Sequence, residues 1–129
     1  MNIGKTLLLA AGIATMALTP TIDAQNNIES LVKSNPHVVV LFYKPGCPFY
    51  RYIAPLFDTL IAQKQSSGIL FKKIDISSQP HIYKTAYHFN TVPTVIYFKN
   101  GSPMRSHGSN NKTITVNDMK DTIKSIFDK

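Results

Sequence analysis

The sequence contains very little cysteine and few acidic residues. Among its 129 residues Cys47 is the single cysteine, so one chain cannot form an internal disulfide and any covalent partner of Cys47 is another molecule. Seven acidic residues stand against 14 lysines and arginines, and the net charge of +7 favours anionic surfaces or acidic protein partners. The lysines form no dense run, so we expect no binding of nucleic acid.

Several common kinds of functional site are also missing. The four histidines lack the spacing of metal ligands and have no cysteine pair beside them, so we expect no metal site at His37, His81, His88 or His107. We interpret His81 and His88 as solvent-exposed. No glycine-rich phosphate loop, nucleophilic serine motif or paired carboxylates are present, and hydrolase chemistry therefore has no support.

The N-terminal segment has the pattern of a secretory signal peptide. Lys5 precedes an apolar run, Leu7 to Leu18, which is shorter than the roughly 20 residues that cross a bilayer as a helix. The pattern predicts a signal peptide over residues 1–24, cleaved after Ala24, and one domain over residues 25–129. An uncleaved membrane anchor and a buried N-terminal helix are the alternatives. Cleavage would leave a periplasmic or secreted protein with no stable membrane insertion.

Hydrophobic periodicity and turn residues predict an alternation of helices and strands. The predicted elements are a helix over residues 28–33, a strand from His37 to Tyr43, a helix from Cys47 to about Gln65, a strand from Ile69 to Asp75, a helix from Pro80 to Tyr87 or His88, a strand from Thr94 to Phe98, a hairpin through Asn100-Gly101 into residues 103–106, and a helix from Val116 to Phe127. This order predicts an α/β domain with a mixed sheet and helices on both faces.

Cys47 lies between a predicted buried strand and a predicted helix. Unpaired backbone N–H groups at a helix N-terminus stabilise thiolate over thiol, which predicts a nucleophile that attacks disulfides. Pro48 suits a helix start, although it removes one N–H that could bond the sulfur. The alternative is a buried cysteine that acts only as a small apolar side chain.

Two stretches of the sequence resemble the thioredoxin superfamily. Residues 38–57, with Cys47-Pro48-Phe49-Tyr50 and Pro55, are similar to the family's active-site strand, turn and kinked helix. Residues 91–101 are similar to its cis-proline loop, next strand and hairpin. The resemblance covers most of residues 27–127. It implies a three-layer thioredoxin-like fold with a mixed four-stranded sheet, or five strands if the family's first edge strand precedes the first helix.

The resemblance also implies a site opposite Cys47. The family uses a cis proline, here Pro93, so that the backbone of the preceding residue, Val92, lies beside the thiol and pairs with a bound extended peptide. An ordinary trans proline is the alternative. Aromatic side chains near this groove could contact the peptide or serve only for packing: Tyr43, Phe49, Tyr50 and Tyr52.

The sequence departs from the thioredoxin pattern at two positions. Tyr50 stands where the family has its second, resolving cysteine, and Leu41 stands where it has a buried acid. Lys44 and the Cys-Pro-Phe order resemble the glutaredoxin branch, in which the lysine helps to hold glutathione. The glycine pair and acid of that branch are absent after the Tyr97-Phe98 strand, and Asn100-Gly101 is a turn of the thioredoxin type.

These features lead to two functional hypotheses. In the first, the protein is exported and exchanges thiols and disulfides of proteins or peptides through Cys47, with an external thiol such as glutathione as resolving partner and no bound cofactor. The residues expected to contact the substrate are Val92, Pro93, Tyr50, Phe49 and Lys44. In the second, the chain is a redox-inactive module that binds peptides or partner proteins. A disulfide-linked dimer through Cys47 is a further outcome in an oxidising compartment.

Overall fold

The computed structural model describes residues 28–64, 67–78, 80–108 and 114–128. Along the chain, the elements are α1 (helical residues 28–34), β1 (His37–Tyr43), α2 (Pro48–Lys64), β2 (Leu70–Asp75), α3 (Pro80–Tyr87), β3 (Thr94–Lys99), β4 (Ser102–His107) and α4 (Val116–Phe127). Every element predicted from the sequence is confirmed, and no boundary differs by more than one residue. The predicted signal peptide, residues 1–24, lies outside the described residues. No helix in the described ranges is long and apolar enough to cross a membrane.

The described strands form one mixed sheet in the order β2-β1-β3-β4. Strand β1 pairs in parallel with β2 and antiparallel with β3, and β3 pairs antiparallel with β4. A four-stranded sheet confirms the prediction for the part of the chain that the structure describes. The loops that follow β1 and precede β3 meet at one end of the sheet, because these central neighbours run in opposite directions.

Strand β1 is the centre of the molecule because both of its faces are covered. Its five central residues, 38–42, are all fully buried, which explains the unbroken apolar run in the sequence. Val39 and Leu41 point into a cluster with residues of α2 and α4, whereas Val38, Val40 and Phe42 point into a second cluster with residues of α1 and α3. The structure therefore has three layers, as the sequence predicted.

The β3–β4 hairpin has the turn that its sequence predicts. Lys99 pairs with Ser102, which leaves Asn100-Gly101 as a two-residue loop. Both loop residues have positive φ, 52° and 86°, the combination that a type I′ hairpin requires. A Cβ on Gly101 would also lie 3.2 Å from Lys33 Cγ, so this glycine lets the hairpin approach α1 closely.

Helix α4 begins with a capping box. The Thr115 hydroxyl accepts a hydrogen bond from the Asp118 backbone N–H, and the Asp118 carboxylate accepts one from the Thr115 N–H. The buried side of the helix packs Met119, Ile123 and Ile126 against the sheet. Helices α2 and α4 cover the same face of the sheet. Cys47 lies at the N-terminal end of α2, on that side of the sheet.

Candidate active site around Cys47

A tight turn places Cys47 at the start of α2. The Cys47 N–H donates to the Lys44 carbonyl oxygen over 3.4 Å, which closes a four-residue turn. Gly46 has φ +85°, and with Pro45 before it this is the residue pattern of a type II turn. Helix α2 begins at Pro48, and the Cys47 carbonyl accepts the N–H of Tyr50 over 3.0 Å. Cys47 is therefore the residue that caps the N-terminus of α2.

The thiol of Cys47 faces the loop before β3. It donates a hydrogen bond to the Val92 carbonyl oxygen, with Sγ and O 3.5 Å apart, across 45 residues of sequence. Cys47 is partly exposed, which excludes the alternative of a buried filler residue. The sulfur of this partly exposed residue thus contacts the backbone of a second loop.

The loop that carries Val92 has a defined conformation. The Val92–Pro93 peptide bond is cis. The Thr94 hydroxyl donates to the Thr91 carbonyl oxygen over 2.6 Å, and this short bond closes the loop immediately before β3. Pro93 and Thr94 are buried, whereas Val92 is partly exposed. Of these three loop residues, Val92 is therefore the one that borders both the protein interior and the groove beside Cys47.

Tyr50 stacks on the end of β1. Its ring lies parallel to the ring of Tyr43, with centroids 4.4 Å apart and an angle of 16° between the planes. Tyr50 also packs against the core cluster that lies between the sheet and helices α2 and α4. The side chain at position 50 is thereby fixed by packing, and it offers the sulfur of Cys47 no second thiol.

The core beneath this site is apolar. Leu41 is fully buried in the cluster with Ile53 and Phe57 of α2. Two positions further along β1, burial raises the pKa of Tyr43, and the neighbouring Tyr50 and Asp75 raise it further, so this phenol stays neutral. Neither the apolar side chain of Leu41 nor the neutral phenol of Tyr43 can accept a proton beneath the first turns of α2.

The remaining predicted contact residues lie around the same turn. The Lys44 side chain is partly exposed, and among the described residues no ion pair or hydrogen bond of its ammonium group is present. Phe49 is partly buried in the first turn of α2. The structure brings Cys47 into contact with Val92 and brings Tyr50 into contact with Tyr43.

Tyr52 has a different place from the one that the sequence indicated. Its hydroxyl donates to the Ile114 carbonyl oxygen over 2.8 Å, which ties the second turn of α2 to the segment before α4. Tyr52 was expected among the groove aromatics or as packing, and the hydrogen bond makes it a structural link. No local sequence signal could have identified this partner, because the two residues are 62 positions apart.

A second polar contact that sequence reasoning missed lies at the end of β4. The Tyr97 hydroxyl oxygen and His107 Nδ1 are 2.9 Å apart, and the two rings meet edge to face. Burial raises the pKa of fully buried Tyr97 far above its usual value. Burial lowers the pKa of His107, and Asp118 opposes that change only in part. His107 is thus half-buried and within hydrogen-bond distance of the Tyr97 hydroxyl.

No group of three potential ligands among histidine, cysteine and acidic residues could hold a metal ion in the described ranges. A single cysteine can attack a disulfide and form a mixed disulfide, but it cannot complete an exchange without a thiol from another molecule.

The sequence matches the family model described as Thioredoxin over residues 19–125. It is 36% identical over 78 residues to the chloroplastic M-type thioredoxin of Spinacia oleracea, which covers 60% of this chain and 42% of that protein. It is 28% identical over 86 residues to protein disulfide-isomerase 1 of Caenorhabditis elegans, which covers 65% of this chain and 18% of that protein. The chain spans less than half the length of these two curated relatives.

Solved structures show the same fold. Mitochondrial thioredoxin 3 of Saccharomyces cerevisiae, in its oxidised form, superposes with a TM-score of 0.64 at 23% identity, covering 79% of this chain and 90% of that one. Thioredoxin O2 of Arabidopsis thaliana gives a TM-score of 0.64 at 19% identity, covering 81% and 87%. Because the family model matches most of the chain, the chain belongs to the thioredoxin family.

Proposed function

We propose that the protein exchanges thiols and disulfides through Cys47 alone and that an external thiol completes each turnover. Thioredoxins act on protein thiols and disulfides and need no cofactor. The observation that carries the proposal is the position of Cys47: this partly exposed residue immediately precedes α2, and its sulfur lies 3.5 Å from the Val92 carbonyl oxygen. Backbone N–H groups at a helix start favour the thiolate, which is the nucleophile.

The exchange has two steps. The Cys47 thiolate attacks one sulfur of a substrate disulfide, so that a mixed disulfide forms and the other substrate sulfur leaves as a thiolate. A thiolate from a second molecule, such as glutathione, then attacks the mixed disulfide and releases either Cys47 or the substrate. The second step then occurs again: when the substrate has left as a thiolate, Cys47 holds the external thiol in a mixed disulfide, and a second external thiolate attacks it and releases Cys47. In total, one substrate disulfide is reduced to two thiols and two external thiols become one disulfide.

The groove between the two loops is the proposed binding site for the substrate. The Val92 backbone borders the thiol, so an extended peptide that pairs with Val92 would present its disulfide to Cys47. We expect Pro93, Phe49 and Tyr50 to line this groove and the partly exposed Lys44 to pair with a carboxylate of the substrate.

A redox-inactive binding module is the second candidate function. Two observations favour it: the stacked Tyr43–Tyr50 pair at the place of a resolving thiol, and the apolar Leu41 beneath the site. Such a module would keep the groove around Val92 for a peptide or a partner protein. Cys47 would then be dispensable for its activity.

Reduction of insulin distinguishes the two functions. The protein is assayed with and without reduced glutathione, and glutathione alone and the Cys47→Ser variant serve as blanks. We expect catalysis only when both Cys47 and glutathione are present, because Tyr50 cannot resolve the mixed disulfide. Equal rates for the protein and for the Cys47→Ser variant would reject the redox function and leave the binding module.

Accessibility of the thiol supplies an independent check. The alkylation rate of Cys47 is measured as a function of pH in the native protein and in urea. A thiol that the fold activates reacts faster in the native state near neutral pH than in the unfolded chain. Reaction only after unfolding would contradict the first proposal.

Export through a cleaved signal peptide completes the proposal. The basic start, the short apolar run and Ala24 support cleavage before Gln25, with a periplasmic or secreted product. The mass and N-terminal sequence of the protein recovered from the periplasm or medium test this directly. A non-reducing gel of the same material shows whether Cys47 joins two copies. Full-length protein retained with the cells would contradict export.

A further inference from the structure

A cleft lies on the side of the sheet away from α2 and α4, beside β2, which is an outer strand among those that the structure describes. Its volume is about 330 Å³. The walls come from α1, β2 and α3 and include Ile28, Leu31, Lys72, Ile74 and Tyr83. None of these residues belongs to the groove at Cys47, so the cleft is a separate feature of the surface.

The most buried polar side chain among the residues that line this cleft is that of Tyr83. Tyr83 is 2% exposed, and its ring packs against Phe42 with centroids 5.7 Å apart. Throughout residues 28–64, 67–78, 80–108 and 114–128, its hydroxyl has no hydrogen-bond partner. Burial raises the pKa of Tyr83, so the phenol is neutral and able to donate. A buried donor without a partner is costly, and a bound acceptor would relieve that cost.

The charges at the cleft favour an anion. The Asp75 carboxylate keeps its negative charge, but side chains alternate along β2, so it lies with Lys73 on the opposite face from Lys72 and Ile74. There it accepts hydrogen bonds from the backbone N–H and the hydroxyl of Ser77. Lys73 is occupied by its ion pair with Asp58. Lys72 lies on the opposite face of β2 from Lys73, and its ammonium group has no ion pair among the described residues. The charged group that remains for a ligand is therefore a cation.

The other walls are apolar. Leu31 and Ile74 are partly buried and pack against the core cluster of this face, and Ile28 is buried in it. A volume of 330 Å³ corresponds to about ten groups the size of a water molecule or a methylene. The occupant that fits is a short apolar chain with one acidic head.

We propose that this cleft binds a small amphipathic carboxylate, with its apolar body against Ile28, Leu31 and Ile74 and its head between the Tyr83 hydroxyl and the Lys72 ammonium group. The site is independent of Cys47. It would serve as a second ligand site on the protein, whichever of the two proposed functions the groove at Cys47 performs.

Octanoate is the probe, and octanamide, which has the same shape and no charge, is its matched control. Each is titrated into the full ¹⁵N-labelled chain, and amide shifts are followed by NMR. We expect octanoate to shift the amides of α1, β2 and α3 around the cleft with a Kd of about 0.1–1 mM. Octanamide keeps an acceptor for Tyr83 but offers Lys72 no charge, so we expect it to bind several-fold more weakly.

Three variants assign the contacts. Tyr83→Phe removes the hydroxyl alone and is expected to weaken octanoate binding about tenfold. Lys72→Gln is expected to weaken octanoate several-fold and to leave octanamide unchanged, whereas Lys124→Gln, on the exposed side of α4, changes neither. Cys47→Ser is expected to bind octanoate as the unaltered chain does, which separates this site from the thiol chemistry.

Several results would overturn the proposal. If octanoate at millimolar concentration shifts no amide resonance around the cleft, the proposal is wrong and water alone is the hydrogen-bond partner of the Tyr83 hydroxyl. Shifts confined to the exposed apolar side chains Ile82 and Met104 indicate surface adsorption. Undiminished affinity in the folded Tyr83→Phe variant would show that the hydroxyl does not contact the ligand.

Discussion

At the scale of single residues, Tyr50 defines what the active site can do. Its backbone N–H helps to start α2 by donating to the Cys47 carbonyl, and its ring is held by Tyr43. The same position in a dithiol protein would carry the thiol that releases the enzyme from its substrate. The aromatic pair therefore replaces a chemical function with a packing contact.

Tyr50→Cys is expected to allow self-resolution. Residues three apart share one face in the first turn of a helix, so a thiol at position 50 can attack a mixed disulfide at Cys47. One equivalent of the pre-reduced variant should release reduced insulin without glutathione, whereas the unaltered protein stops at the mixed disulfide. The reduced variant should lose about 1–2 kcal/mol of unfolding free energy, because the ring stack is lost.

Tyr52→Cys is the matched control. It adds a thiol to the same helix two residues later, on the side of α2 that faces Ile114, and it should not resolve the mixed disulfide. Mass spectrometry of the products distinguishes an internal Cys47 disulfide from a mixed one. A Tyr50→Cys variant that accumulates only the mixed disulfide would show that α2 does not bring the two sulfurs together.

His107 is expected to make stability depend on pH. Its pKa in the folded protein is below the ordinary value of 6.5, so the unfolded chain binds more protons between the two values. Stability is therefore complete above about pH 6.5 and falls as the pH decreases from 6.5 through the lowered pKa. Urea unfolding at a series of pH values between about 7.5 and 5 measures this slope.

The variant His107→Asn removes the titration while it retains a polar group near the Tyr97 hydroxyl. Its unfolding free energy should change less with pH over this window than that of the unaltered protein. Identical slopes for the two proteins would assign the pH dependence to other groups.

At the scale of elements, the C-terminus of α3 carries a strained residue. His88 follows the last helical residue with φ 58°, and the Phe89 N–H donates to the Lys84 carbonyl over 3.2 Å. This is the bond of a Schellman motif, in which glycine is the favoured residue at the left-handed position. A histidine there costs about 1–2 kcal/mol relative to a residue without a Cβ.

His88→Gly should consequently stabilise the protein. Relief of the left-handed conformation exceeds the extra entropy of glycine in the unfolded chain, and we expect a net gain of about 0.5–1 kcal/mol in unfolding free energy. Ala86→Gly, at an exposed position inside the same helix, should instead cost about 0.5–1 kcal/mol. Chemical unfolding of both variants checks the sign. Destabilisation by His88→Gly would mean that its side chain makes a contact worth more than the strain.

Element boundaries were largely predictable because local signals marked them. Pro48 at a helix start, Asn100-Gly101 in a two-residue turn and the Thr115 cap each fix a boundary through their own backbone geometry. Local signals did not predict that Tyr52 hydrogen-bonds to Ile114, or that His107 is half-buried against Tyr97. Both contacts depend on how separate elements pack.

At the scale of the whole molecule, the net charge of +7 should influence which disulfides react fastest. A positive field raises the encounter rate with anionic partners, and salt screens that field. We expect the second-order rate of Cys47 with anionic glutathione disulfide to fall several-fold between about 0.01 M and 1 M ionic strength. Stopped-flow measurement of the single-turnover reaction gives this rate.

Hydroxyethyl disulfide, which is neutral, is the matched reagent. Its rate with the same protein should change little over that range of salt, because no long-range charge attraction is involved. Equal salt dependence for both disulfides would attribute the effect to a general change in the thiol and not to steering of the anion.

The sequence by itself determined the layered α/β fold and the presence of a single cysteine. An unbroken apolar run predicts a strand covered on both faces, and one cysteine excludes an internal disulfide whatever the fold. Only the tertiary structure decided what surrounds that cysteine: the Val92 carbonyl 45 residues away and the Tyr43–Tyr50 stack. It also decided where Tyr83 is buried, beside a cleft built from three elements. Periodicity records which face of an element is buried, whereas a contact between distant residues exists only once those faces have packed.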